Sequence, residues 1–400
     1  MKQRLQFILG ILLIQLFFFI PIVQAAGDEE KTSSLINPDK IAGAQLEDLN
    51  IDELKGFWED IINKYDGYLP ESQKGSLYDF ISGEKKFSMK EWFKGILNFA
   101  FHEFIVNGKL LGSLILLTVF SMFLQALQNS FEKSTISKVA YSIVFMVLII
   151  IALNSFHVVV DYTNDTIGTM IQFILALIPL LLALMATSGG GLISAAFFHP
   201  VIIFMMNTSG MFIQYVVLPL LFLSTLLSIV SILSEHYKVT QLASMLRNWS
   251  VGLLGILLTV FLGVISVQGA SSAVTDGVTV KTAKFITGNF VPVIGRVFTD
   301  ATDTVISASM LLKNTVGLAG VAILLIIAAF PAVKILMVAF IYKFAAAILQ
   351  PLGGGPVITC LDIISKSIIY VFAALGIVSL MFFLTITVII AAGNLTMMVR

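Results

Sequence analysis

Eight stretches of this chain, at 108–128, 139–160, 168–187, 192–209, 212–234, 250–270, 316–349 and 367–391, are strongly apolar and almost free of charge. A helix rises 1.5 Å per residue, so about 18–20 residues cross the ~30 Å hydrocarbon core of a bilayer. Each stretch is long enough to do so. With 58% hydrophobic and 12% charged residues and a mean hydropathy of +0.96, the chain has too little polar surface to cover itself in water. The expected fold class is therefore all-α: a polytopic α-helical membrane protein with about eight transmembrane helices.

The charges are concentrated. Residues 27–106 carry 25 of the 48 charged side chains, 16 of them acidic. Before them, "MKQRLQFILGILLIQLFFFIPIVQAAGDEE" places Lys2 and Arg4 ahead of an apolar core and a small-residue exit. That reads as a signal peptide over 1–25, cleaved before Ala26, with an uncleaved anchor helix as the alternative. Either way residues 26–106 are expected to be an extracytoplasmic helical segment. Within it, Asn50 with Glu53 and Ser88 with Glu91 are capping boxes. Ile51, Leu54, Trp58, Ile61, Ile62 and Tyr65 follow the first at helical spacing, and Trp92, Phe93, Ile96, Leu97, Phe99 and Phe104 follow the second. The second helix reads either as one lying in the membrane interface or as part of a small helical core.

Loop charges set the orientation expected of the first helices. "NSFEKSTISK" and "SEHYKVTQLASMLRN" carry lysine or arginine and fall inside, whereas "DYTNDT" has two aspartates and no basic residue and falls outside. The expected organisation is two transmembrane helices over 107–167, followed by two related units over 168–271 and 285–391. The relation rests on "IPLLLALMATSGGGLISA" (178–195) and "VPVIGRVFTDATDTVISA" (291–308), which align without a gap. Pro179 and Pro292 fall in register, as do Ile193-Ser194-Ala195 and Ile306-Ser307-Ala308. A duplicated unit of this kind is familiar from transporter folds; chance similarity between oily segments is the rival account. Residues 285–312 are too polar for two spans and fit a re-entrant hairpin, and 316–349 reads as one kinked helix or two short ones.

Gly189, Gly190 and Gly191, and again Gly353, Gly354 and Gly355, read as structural turns between helices. Neither triplet is followed by the lysine that a phosphate-cradling loop requires, although an anion site at the ensuing helix start is the alternative. Asp300 and Asp303 read as turn and N-cap residues of the second unit. Walker, HExxH, CxxC and GxSxG patterns are missing from the sequence, and the four histidines lack ligand spacing. No enzyme, cofactor or metal is expected, and the zero net charge argues against a nucleic-acid partner. The single cysteine, Cys360, reads as a buried thiol. Lys334, Pro331 and Lys343 are the candidate conduit or hinge residues, together with Arg296, Asp300 and Asp303. A charge within a lipid span is costly unless it is paired or lines water. The alternatives are that Lys334 lies at the interface and that Lys343 snorkels. Gly252, Gly255, Gly263, Ala345, Ala346 and Ala347 are expected at close helix contacts.

With its signal, its acidic exported segment containing "NKYDGYLPESQKGS", and its "ATSGGGLISAAFF" and "LQPLGGGPVIT" stretches, the chain resembles the stage III sporulation protein AE family of endospore-forming bacteria. The resemblance implies a multi-pass protein of the mother-cell membrane around the forespore. It further implies partners among the other membrane proteins of the same sporulation operon, plus one made in the forespore. Together these would build a channel or feeding apparatus needed for late forespore gene expression. A stand-alone permease for small solutes is the alternative that the duplication and the intramembrane lysines favour.

Overall fold

In the computed structural model the chain is an assembly of long helices. The structure describes residues 51–70, 75, 77, 88–130, 135–187, 192–233, 238–290, 294–352 and 355–398. Of these, 89, 128–130, 135–138, 192–199, 268–290, 294–306, 352 and 392–398 are described by backbone alone. The signal segment, Asn50, Gly189, Gly190, Gly191, Gly353 and Gly354 lie outside the described residues.

Nine α-helices are described: α1 (Asp52–Tyr65), α2 (Met89–Val106), α3 (Gly108–Ser130), α4 (Thr135–Thr187), α5 (Leu192–Phe212), α6 (Leu218–Leu233), α7 (Thr240–Phe290), α8 (Ile294–Leu349) and α9 (Pro356–Met398). A π-helical turn, Ile213–Val217, joins α5 to α6, and a 3-10 turn, Gln350–Leu352, follows α8. No strand occurs among the described residues. Six helical stretches are long and apolar enough to cross a membrane: 108–127, 139–187, 200–233, 240–267, 307–349 and 356–391. The eight apolar runs thus fall on six continuous helices, because two pairs of runs are fused.

The first fusion corrects the expected loop at "DYTNDT". Residues 161–166 are helical, and α4 runs 53 residues without a break. Neither glycine nor proline occurs between 139 and 167, so polarity alone marked the loop. The polar side chains also serve the helix, because the Thr163, Thr166 and Thr169 hydroxyls donate to the carbonyls of Val159, Tyr162 and Asp165 at 2.8, 2.7 and 2.9 Å. The second fusion joins 192–209 to 212–234 through the π turn. There the Gln214 amide donates to the Asn164 carbonyl of α4 at 2.8 Å, so the widened turn carries a bond between helices.

One further reading is revised, and one choice between alternatives is settled. Asp300 and Asp303 are not turn residues, because 299–303 is helical backbone inside α8. The stretch 316–349 is one helix, with Pro331 buried within it. The region 285–312 forms the end of α7 and the start of α8, either side of 291–293.

α1 and α2 pack on the sides of α4 and α8. The helical face of α1 is as its spacing predicts: Ile51, Leu54, Trp58, Ile61 and Tyr65 are buried. The helix opens after Ile51 with no side-chain cap, whereas Ser88 caps α2 by accepting from the Glu91 N–H at 3.5 Å. Aromatic contacts seat both helices: Phe57 meets Phe173 edge-on at 5.4 Å, Tyr65 stacks on Phe330 at 4.1 Å, and Phe99 meets Phe330 edge-on at 5.0 Å. α2 is apolar on two faces. Trp92 and Phe99 turn inward, while Phe93, Leu97, Phe101 and Ile105 are exposed at four-residue spacing. The helix therefore packs on the bundle by one face and presents an apolar stripe outward.

Candidate functional site

The polar side chains of the bundle gather at three levels of α8. The middle level is the best furnished. Glu103 on α2 is buried, and its carboxylate faces Lys334 of α8 at 3.8 Å. The Asn107 amide, one turn further along, donates to the same carboxylate at 3.2 Å and to the Glu103 carbonyl at 2.8 Å. The Lys334 ammonium also lies 4.9 Å from the centre of the Tyr162 ring on α4, and Lys64 of α1 approaches that ring from 5.8 Å. The Tyr65 and Tyr162 hydroxyls share a hydrogen bond. Burial, and after it the neighbouring Tyr162, pushes the Tyr65 phenol above its ordinary range. Four elements thus meet around one buried carboxylate. On the other side of α4, His157 and Asp161 pair at 3.2 Å and are exposed.

The second level lies nine residues along α8, about 13 Å away at helical rise. Lys343 approaches the Asp362 carboxylate of α9 to 2.5 Å, and Lys366, one turn further on α9, reaches its other oxygen at 2.5 Å. The triad ties α8 to α9 and carries one net positive charge. Beside it the Ser365 hydroxyl donates to the Ala339 carbonyl at 2.9 Å, so the two helices approach closely there. Lys343 is therefore paired across helices, where the sequence left it snorkelling.

The third level is Lys313, fully buried, whose ammonium donates to the Ile390 carbonyl of α9 at 3.0 Å. Close by, a Cβ on Gly317 would fall 2.5 Å from the Ile390 side chain, and one on Gly320 would fall 2.5 Å from Leu177 of α4. These two glycines mark tight crossings. Gly252, Gly255 and Gly263, expected in that role, have nothing within 4 Å of an added Cβ. Ala345 and Ala346 are buried, whereas Ala347 is exposed. Small residues permit close packing without requiring it, so composition alone could not choose among them.

Of the residues singled out in the sequence, Lys334 and Lys343 lie in these charged clusters and Pro331 one turn from Lys334; Glu103, Asp362 and Lys313, which complete the clusters, were not singled out. Each missed residue is a charge inside or beside an apolar run, and that was the available signal. Arg296 lies on α8 as backbone alone, far along the helix from Lys334. Gly355 is the residue just before α9, where a Cβ would come within 3.3 Å of Gln125 of α3. Cys360 is a buried free thiol, as expected. Among the described residues no group of three or more metal-ligating side chains converges.

A family model described as stage III sporulation protein AE matches residues 72–393. The chain belongs to the stage III sporulation protein AE family. It is 65% identical over 399 residues, covering the full length of both chains, to the stage III sporulation protein AE of Bacillus subtilis strain 168. No solved structure matches. The matched region takes in α2 to α8 entire and most of α9, so Glu103, Lys313, Lys334, Lys343, Asp362 and Lys366 all fall inside it, whereas Lys64 and Tyr65 of α1 precede it.

Proposed function

We propose that this protein is the integral-membrane component of a conduit between mother cell and forespore. In this reading it sits in the mother-cell membrane around the forespore, with α1 and α2 on the extracytoplasmic side. Its partners are the other membrane proteins of its operon and a forespore-made protein, and its service is the support of late forespore gene expression. The observation that carries the reading is the docking of α1, with its charged outer surface, and of α2 onto the apolar bundle, α1 through Phe57 and Tyr65 and α2 through Glu103 and Lys334. A membrane anchor bearing an ordered outward platform suits assembly with proteins across a narrow gap. The test is to express this chain in Bacillus subtilis in place of its relative. Spore yield and a late forespore reporter should be restored, and Glu103→Lys should remove both while the protein stays in the membrane. Restoration by a chain lacking residues 26–106 would defeat the reading.

The Lys343–Asp362–Lys366 triad favours a second reading, a permease with its own path. Ion clusters at membrane depth tend to line routes for polar cargo. Solute flux by the purified protein in liposomes, lost in Asp362→Asn, would support it. No flux without partners favours the assembly role.

A further inference from the structure

We infer that the Lys343–Asp362–Lys366 cluster, on the outer face of α8 and α9, binds the phosphate headgroup of an anionic phospholipid. The inference rests on the reading of the chain as a membrane protein with α1 and α2 extracytoplasmic. It is the alternative to a solute path through the same residues and leaves the conduit role open.

The first ground is direction. Lys343 and Lys366 keep 59% and 48% of their side-chain surface exposed while each holds one oxygen of Asp362. Lys343 shares its side of α8 with Leu336, Phe340, Phe344 and Ile348, all exposed. Lys366 shares its side of α9 with exposed Thr359, two turns nearer the helix start. The cluster therefore looks away from the bundle, over an apolar surface of the kind that lipid solvates, and not into its interior.

The second ground is charge. Between residues 335 and 399 the sequence carries three charged side chains, and they are these three. Both Asp362 oxygens are taken, so the carboxylate serves to hold two ammoniums side by side. Each ammonium has three N–H donors and gives one to Asp362, which leaves two on each for another acceptor. One positive charge is left over. A phosphate diester carries one negative charge and has oxygens that accept from both ammoniums at once. A zwitterionic headgroup brings its own cation and cancels no surplus. At the other levels of α8, Glu103 and Lys334 offset each other and Lys313 is buried, so the outward positive surplus belongs to this level.

The third ground is position. Lys343 lies six residues before α8 ends at Leu349, and Asp362 six residues after α9 begins at Pro356. Both stand about 9 Å from the turn between the helices. Lys366 reaches back one turn to Asp362, which brings its ammonium to the same level. Headgroups fill roughly the outer 5–7 Å of each leaflet, so a lipid phosphate beside this turn is within reach of both lysines. The turn belongs to the end of the bundle at which α3 gives way to α4, because a Cβ on Gly355 would come within 3.3 Å of Gln125 of α3. Lys133 and Lys138 occur at that junction, the basic signature of a cytoplasmic end. The cytoplasmic leaflet is the one whose surface is negative with anionic lipid.

Lipid retention tests this. The full chain is held in mixed micelles with equal amounts of phosphatidylglycerol and phosphatidylcholine of the same acyl chains, and native mass spectrometry compares the two lipids retained. The ratio should favour phosphatidylglycerol by about fivefold, the effect of one net basic charge near an anionic lipid surface. Lys343→Gln and Lys366→Gln each leave Asp362 with one partner, so the helices stay joined, and each should bring the ratio close to unity. Lys343→Arg should keep the preference, as should Lys55→Gln on α1. Millimolar inorganic phosphate should not displace the lipid. Equal retention of both lipids by the native chain overturns the inference, as does a preference that survives both glutamine variants or is lost in Lys343→Arg. Displacement by free phosphate overturns it too, by showing a site for a soluble anion. Because the readout is bound lipid and not sporulation, failure of the conduit role would leave it unaffected.

Discussion

The Glu103 carboxylate of α2 and the Lys334 ammonium of α8 stand 3.8 Å apart, with the acid buried and the base half in solvent. The pair joins α2 to α8 of the helical bundle. Removing Lys334 strands a buried carboxylate, whereas replacing the carboxylate by an amide does not.

Lys334→Ala should therefore loosen α2 by about 1–3 kcal/mol, between the limits for exposed and buried pairs. Glu103→Gln should cost less, because its amide still bonds Asn107. Hydrogen exchange of the α2 amides measures both. Equal protection in the two variants would show that the pair does not hold the helix.

Gly317→Val and Gly320→Val should each lower stability by about 1–3 kcal/mol through overpacking, since the new side chains would press on Ile390 and Leu177. Gly255→Val should be tolerated, because open space surrounds that position. Thermal unfolding in detergent separates these outcomes.

Asp362→Asn leaves Lys343 and Lys366 without the carboxylate between them. Two like charges in an apolar setting then repel, and α8 and α9 should part at that level. A cysteine crosslink between positions 339 and 365, made in the Cys360→Ser background, should form more slowly in Asp362→Asn. The added change Lys343→Met should recover part of the rate.

Tyr65 gives a pH signature. An unfolded chain releases the phenolic proton near pH 10, whereas burial keeps it on the folded one. Above that pH the unfolded state binds fewer protons, so stability falls as pH rises. Tyr65→Phe should flatten this alkaline loss by up to one proton equivalent, measured by denaturant unfolding between about pH 9 and pH 11. An unchanged slope would mean that the ring is not held in a dry contact.

The helical class and the membrane character were legible in the sequence because apolar runs of spanning length have few other uses. The inner face of α1 was legible too, since Leu54, Trp58, Ile61 and Tyr65 repeat with the helical period. Continuity was not. "DYTNDT" and "TDATD" look like loops by polarity, but neither contains the glycine or proline that stops a helix, and threonine can bond back to its own turn. Partners were equally hidden: Glu103 and Lys334 are 231 positions apart, and only the packing of α2 along α8 brings them together.

Asn107 alone separates α2 from α3, and it does not interrupt the backbone ladder. Its N–H reaches the Glu103 carbonyl at 3.0 Å and its carbonyl receives the Leu111 N–H at 3.1 Å. The two helices act as a stiff rod from Met89 to Ser130. A tug on the Met89 end would travel along that rod as displacement instead of being absorbed by a slack hinge, so force applied to α2 becomes movement at the far end of α3.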